Sequence, residues 1–109
     1  MGVDVVLIGR NEGDRLVRSL SSVAPQARCV VYVDSGSTDD SVRNAEKVGA
    51  LVVNLDMSVP FTAARARNAG FETLMAQEDP PECVQFLDGD CVMSDGWLQN
   101  AAKAMRDGP

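Results

Sequence analysis

The sequence predicts an α/β fold in which a mainly parallel, four-stranded sheet lies between two layers of helices. Three observations predict it. Short apolar runs recur along the 109 residues, and they are nearly continuous instead of alternating with polar residues, as strands buried on both faces are. Segments with apolar residues at helical spacing separate these runs, giving the order βαβαβαβα. Aromatic residues are few (Tyr32, Phe61, Phe71, Phe86 and Trp97), so the core must be aliphatic. That suits layered α/β packing better than an aromatic-rich β sandwich.

Each element has its own signal. Val3-Asp4-Val5-Val6-Leu7-Ile8 is mostly β-branched and closes at Gly9, which reads as a strand. Leu16, Leu20 and Val23 recur at i, i+4 and i+7 on one face of a helix that Pro25 terminates. Cys29-Val30-Val31-Tyr32-Val33 is the second strand. Residues 41–48 are helical, with Val42 and Ala45 inward and Gly49 as C-cap. Ala50-Leu51-Val52-Val53-Asn54 is the third strand. After a loop through Pro60, the longest helix runs from about Phe61 to Glu78 and ends at Pro80-Pro81; Ala64, Asn68, Phe71 and Met75 share one side of it. Cys83-Val84-Gln85-Phe86-Leu87 is the fourth strand. A last helix begins near Asp95 as N-cap and carries Trp97, Leu98, Ala101, Ala102 and Met105.

Composition narrows the function. At 109 residues the chain is one domain, and its net charge is −6 with no basic cluster beyond Arg65-Ala66-Arg67. Nucleic-acid binding relies on many Lys/Arg–phosphate contacts, so no nucleic-acid partner is expected. The absence of histidine excludes Ser-His-Asp and Cys-His catalysis and His-rich metal sites within these residues. Cys29, Cys83 and Cys91 form no CxxC pair and read as small buried hydrophobes in a reducing compartment. No run reaches transmembrane length and no signal pattern opens the chain, so a cytoplasmic location is expected.

The chemistry collects at the strand ends. In open parallel sheets ligands bind beyond the carboxyl ends of the strands. There the sequence places Arg10-Asn11-Glu12, the stretch Asp34-Ser35-Gly36-Ser37-Thr38-Asp39, and Asp88-Gly89-Asp90. An Asp-Gly pair is a common turn, and Ser37-Thr38-Asp39 would cap the following helix. Yet two carboxylates spaced i, i+2 at the end of a buried strand repel one another and lose solvation unless positive charge lies beside them. A hard divalent cation, Mn²⁺ or Mg²⁺, supplies that charge through one or two carboxylates and substrate phosphates. No dinucleotide fingerprint or P-loop is present.

Four motifs in order carry a resemblance that spans essentially the whole chain. Val6-Leu7-Ile8-Gly9-Arg10-Asn11-Glu12, Val33-Asp34-Ser35-Gly36-Ser37-Thr38-Asp39, Ala66-Arg67-Asn68-Ala69-Gly70 and Phe86-Leu87-Asp88-Gly89-Asp90 together resemble the amino-terminal half of a family 2 glycosyltransferase with the GT-A fold. The resemblance implies a Rossmann-like partial GT-A domain over residues 1–109, binding a UDP- or GDP-linked sugar for transfer to an acceptor hydroxyl. It implies that Arg10, Asn11, Glu12, Asp34, Ser35, Gly36, Arg67 and Asp88 bind the nucleotide sugar. Glu12 and Asp34 would accept hydrogen bonds from base and ribose, and Arg67 would reach the base or diphosphate. Asp90, assisted by Asp88, would ligate the metal. Arg65 reads as the solvated arginine of the pair, and Gly70 as the residue that lets its helix approach the sheet.

Two departures qualify the resemblance. Gly9-Arg10 stands where proline is common, and no Asp or Glu here can be assigned as the general base, which the family carries in a later half. The chain therefore reads as a truncated donor-binding half, inactive in transfer by itself. Its fourth strand would keep an unpaired edge, and a homodimer through that edge or the last helix is expected. Two alternatives share some residues. A haloacid-dehalogenase-type phosphatase would use Asp88 as nucleophile and Asp90 as acid, but only Lys103 follows as a lysine. A sugar-nucleotide-binding module without transfer activity would use the same cleft.

Overall fold

Four strands in the order β3-β2-β1-β4, all parallel, form the sheet. The computed structural model describes residues 3–81, 83–92 and 96–97. Along the chain run β1 (Val3–Gly9), α1 (Asp14–Val23), β2 (Val30–Asp34), α2 (Ser41–Val48), β3 (Leu51–Asn54), α3 (Ala63–Met75) and β4 (Cys83–Asp88). The strands and the second helix follow the sequence expectation to within a residue or two, and α1 carries Leu16, Leu20 and Val23 and ends before Pro25. The expected helix from Asp95 onward lies outside the described residues, apart from a half-exposed Trp97.

Strand alternation sorts the core into two layers. Val5, Leu7 and Tyr32 face α1 and α2, where they bury Leu16, Leu20, Val23 and Ala45, with Val42 packed at the margin. Val6, Ile8, Val31 and Val33 face α3, where they bury Ala66 and Leu74. The three-layer α/β/α arrangement is thus set by the near-continuous apolar strands, each of which supplies both faces.

Helix α3 is shorter than expected, and its buried side is Ala66, Gly70 and Leu74. The side shared by Ala64, Asn68, Phe71 and Met75 faces outward, with Phe71 and Met75 about two-fifths exposed. Gly70 explains the choice. A methyl group there would lie 2.5 Å from Val6 Cγ1 and 3.1 Å from Val33 Cγ2, so this helix approaches the sheet more closely than any larger residue allows. The helix begins at Ala63 because Thr62 caps it, its Oγ1 accepting from the Arg65 amide at 3.1 Å. Phe61 is left outside the helix.

Asp4 is fully buried on the α3 face of β1, at the opposite end of the sheet from the strand carboxyl termini. Arg28 neutralises it in a bidentate pair, with Nε and Nη2 each 2.9 Å from a carboxylate oxygen, and Nη1 reaches Asp79 at 3.1 Å. Beyond β4 the described residues supply no further strand, and Phe86 on its α3 face is partly exposed. No helix among the described residues is long and apolar enough to cross a membrane.

Candidate functional site

The register brings three strand ends level. Gly9 of β1 stands beside Asp34 of β2, and Ile8 stands beside Asp88 of β4. The loops that follow therefore share one edge, and they enclose a cleft of about 500 Å³. One wall is polar, made of Arg10, Glu12, Asp88, Gly89 and Asp90; the floor is Ile8, Gly9 and Ser35; the other wall is Met57, Phe61 and Ala63.

The acidic turn is held by close backbone contacts. The Gly89 amide donates to the Ile8 carbonyl at 2.8 Å, and the Cys91 amide donates to the Asp88 carbonyl at 3.0 Å. A Cβ at Gly89 would lie 3.2 Å from the Ile8 oxygen and 3.3 Å from Glu12 Cγ. A Cβ at Gly9 would lie 3.2 Å from the same Glu12 carbon. The Glu12 stem is thus threaded between two glycines, and its carboxylate pairs with Arg15 Nε at 3.1 Å.

Three carboxylates, those of Glu12, Asp88 and Asp90, line one cleft, with Arg10 as the cation on the same wall. Asp88 and Asp90 are exposed hard oxygen donors. Among the described residues no group of three or more His, Cys, Asp or Glu side chains is arranged to hold a metal ion. Two carboxylates fill only part of a six-ligand shell, so the donor set fits a hard cation that shares phosphate oxygens and water and does not fit a self-sufficient protein cage. None of the three cysteines is buried as expected: Cys29 and Cys83 are half-buried, and Cys91, in the turn after β4, is exposed. The Cys91 thiol is pushed up by desolvation first, then by its hydrogen bond to Asp90 and the charges of Asp90 and Asp88.

Several expected ligand contacts turn out differently. Asp34 is 3% exposed and does not line the cleft. Alternation sends it to the same side as Tyr32, whose hydroxyl donates to it at 2.7 Å; the Ser37 amide donates at 2.8 Å and the Ser37 hydroxyl also donates. Burial, then hydrogen bonding to Asp34, holds the Tyr32 hydroxyl well above its usual pKa, so it remains the donor of that pair.

Asn11, expected at the ligand, is the staple between two loops. Its backbone is left-handed (φ 50°), its amide donates to Ser37 Oγ at 2.9 Å, and its Oδ1 accepts from the Thr38 amide at 2.7 Å and the Asp39 amide at 3.3 Å. Gly36 lies beneath Met57. Of the expected capping residues, Asp39 alone reaches α2, accepting from the Ser41 amide at 2.9 Å, and it also accepts from the Gly13 amide at 3.2 Å.

Neither arginine of α3 lines the cleft. Arg65 is half-buried and donates through Nη2 to the Asp56 carbonyl at 2.9 Å. Arg67 is exposed, lies outside the cleft lining and forms no ion pair with a described residue. Sequence reasoning also missed Met57 and Phe61. The signal was there: large apolar residues in the Pro-containing loop Met57-Ser58-Val59-Pro60-Phe61 fit neither helical nor strand period, so they had no place in the core.

Comparison with known proteins agrees with this architecture. Residues 4–109 match the family described as Glycosyl transferase family 2. The fold superposes on S. aureus TarS 1-349 with a TM-score of 0.80 over 98% of this chain and 33% of that one, at 24% identity. It superposes on glucosyl-3-phosphoglycerate synthase from Mycobacterium tuberculosis, in complex with Mn²⁺, UDP and glucosyl-3-phosphoglycerate, with a TM-score of 0.61 and 28% identity over 80% of this chain and 33% of that chain. A stretch of 51 residues is 45% identical to a glycosyltransferase of Rickettsia conorii, covering 47% of this chain and 18% of the relative. The chain thus spans about a third of the solved structures and under a fifth of that relative.

Proposed function

The chain belongs to glycosyl transferase family 2, and from that premise we propose that its cleft binds a UDP- or GDP-linked sugar together with Mn²⁺ or Mg²⁺, for glycosyl transfer to an acceptor hydroxyl. The observation that carries this reading is the placement of Asp88 and Asp90 with Glu12 on one wall of a single cleft. Such a wall repels a diphosphate unless a cation stands between them. Family membership leaves the phosphatase alternative without support.

The residues divide the work. Asp90 and Asp88 hold the cation, whose bound charge offsets the negative charge that develops on the nucleoside diphosphate as the sugar leaves. Arg10 on the same wall adds a second positive charge toward the phosphates. Ser35 meets the ligand at the floor, while Asp34, Asn11 and Gly36 act at one remove by fixing the loop that carries it. Arg67 lies outside the cleft lining, one helical turn after Ala63, which is part of it. On this reading residues 1–109 taken alone bind donor and leave transfer undone, since no Asp or Glu here matches a motif for the general base that deprotonates the acceptor, an effect typically worth about 10²–10⁴-fold.

Calorimetry against a panel of nucleoside diphosphates, with and without Mn²⁺, tests the reading. Mn²⁺ affinity should rise when UDP or GDP is present. Asp90→Asn should lower the affinity for the Mn²⁺–nucleotide pair by about tenfold or more, the scale of a lost charged contact. Equal Mn²⁺ affinity with and without nucleotide, or indifference to Asp90→Asn, would sink it.

A further inference from the structure

A second cavity lies behind the loop that walls the cleft. It measures about 520 Å³ and opens beside α3. Leu55 and Thr62, at the two ends of the loop, line it, whereas Met57, Phe61 and Ala63 line the cleft. One loop is therefore the partition between two cavities.

The helix side of this cavity is Arg65, Asn68, Ala69 and Glu72, the i, i+3, i+4 and i+7 positions of a single stripe. The stripe carries a guanidinium at one end, a carboxylate at the other and an amide between. Two helical turns, about 10 Å along the axis, separate the two charged residues. Neither forms an ion pair with a described residue. Leu55 and Ala69 add apolar surface.

Arg65 is only half satisfied where it stands. Its Nη2 donates to the Asp56 carbonyl at 2.9 Å, but Nη1 is buried with no hydrogen-bond partner among the described residues. An unpaired N–H of a buried charged group is costly. The bond from Nη2 is also one of the fastenings of the partition loop. The Val59 amide shares the same carbonyl at 3.3 Å, and Asp56 Oδ1 accepts from the Ser58 amide at 3.0 Å. Arg65 thus fastens the loop with one arm while the other arm has no acceptor.

We propose that this cavity is a second binding site, for a small linear zwitterion whose carboxylate takes Arg65 and whose ammonium meets Glu72. An entering carboxylate offers Nη1 the acceptor it lacks and draws the guanidinium toward the cavity. Nη2 then releases the Asp56 carbonyl, and the loop loses a fastening. A ligand in the cleft must afterwards order that wall for itself, so occupancy behind the loop weakens binding in front of it. By linkage the effect is reciprocal. The site stands apart from the donor-binding reading above; only its consequence for nucleotide rests on that reading.

The probe is ε-aminocaproate, with caproate as the same chain lacking the ammonium. Titration calorimetry without metal or nucleotide should show ε-aminocaproate binding in the millimolar range and caproate about fivefold more weakly. Glu72→Gln, at an exposed position, should weaken ε-aminocaproate by about fivefold and leave caproate unchanged. Arg65→Gln should weaken both. Hydrogen exchange at the Ser58 and Val59 amides should quicken by about threefold when ε-aminocaproate saturates the parent chain. Saturation should also lower the affinity for UDP with Mn²⁺ by about threefold. The site is overturned if ε-aminocaproate fails to bind below roughly 50 mM, or if Glu72→Gln binds it like the parent chain. The coupling is overturned if saturation leaves either the exchange of these amides or the UDP affinity unchanged. A parent chain that binds no UDP with Mn²⁺ defeats the donor-binding reading alone, and amide exchange then decides the coupling.

Discussion

Gly89 and Ile8 are joined by a 2.8 Å hydrogen bond from amide to carbonyl, and this contact ties the acidic turn to the end of the central strand. The turn can lie this close only without a side chain at its middle residue, since a Cβ would meet the Ile8 oxygen at 3.2 Å and Glu12 Cγ at 3.3 Å. Gly89→Ala should therefore push the turn away by a few tenths of an ångström and cost about 1 kcal/mol, the low end for overpacking. Urea unfolding measures the cost. Mn²⁺-dependent nucleotide binding should fall more than that figure accounts for, because Asp88 and Asp90, the carboxylates proposed to hold the cation, both move with the turn.

Gly70→Ala sets two effects against each other. Replacing glycine by alanine inside a helix normally gains about 1 kcal/mol. Here the new methyl would lie 2.5 Å from Val6 Cγ1, well inside contact, and α3 cannot retreat without uncovering Ala66 and Leu74. The clash wins, with an expected net loss of about 2 kcal/mol and a fall in melting temperature of roughly 10 °C for a domain of this size. An unchanged melting curve would mean that α3 packs less tightly on the sheet.

Arg28 and its two carboxylate partners should respond unequally to substitution. Asp4 is fully buried, whereas the Asp79 side chain is 95% exposed. Removing a buried charge's partner leaves it uncompensated, while an exposed pair contributes little. Arg28→Ala should therefore destabilise the fold far more than Asp79→Ala in urea unfolding. Since this network lies at the opposite end of the sheet from the cleft, Asp79→Ala should bind nucleotide as the parent chain does.

Cys91 reports on the charge beside it. Desolvation first, then the Asp90 carboxylate, raises the thiol above its ordinary range and keeps it protonated at neutral pH. Asp90→Asn removes the negative charge, which lowers the thiol pKa and leaves more thiolate at a fixed pH of about 8. Iodoacetamide should then alkylate Cys91 faster in the variant, as followed by mass spectrometry without any metal added. An unchanged rate would mean that Asp90 does not sense the thiol.

The layered fold was legible because its strands are short, aliphatic and nearly free of polar residues, and because Leu16, Leu20 and Val23 repeat at helical spacing. The edge that carries the cleft was legible too, since parallel strands bring Gly9, Asp34 and Asp88 to one end regardless of detail. Direction was not. Alternation turns Asp34 toward Tyr32 and leaves Ser35 for the cleft, a difference of one residue that a loop motif does not encode. The buried side of α3 was hidden for another reason: alanine and glycine mark close approach without adding hydrophobic contrast, so Phe71 and Met75 dominated the pattern while facing outward. Arg65 and Arg67 differ only in what lies opposite them, and the Asp56 carbonyl has no signature in sequence.

The pairing of β4 with β1 has a kinetic consequence. Val3 lies beside Cys83, some eighty residues away along the chain, while β2 and β3 join the sheet through far shorter separations. Closing the longest loop costs the most chain entropy and should come late in folding. Until β4 docks, the first three strands hold Ser35 and the Met57–Phe61 wall, but neither Asp88 nor Asp90 has a place beside them. The proposed cation site is then the last part of the cleft to appear. Stopped-flow refolding followed by Mn²⁺ uptake in the presence of UDP should lag behind the burial of Tyr32.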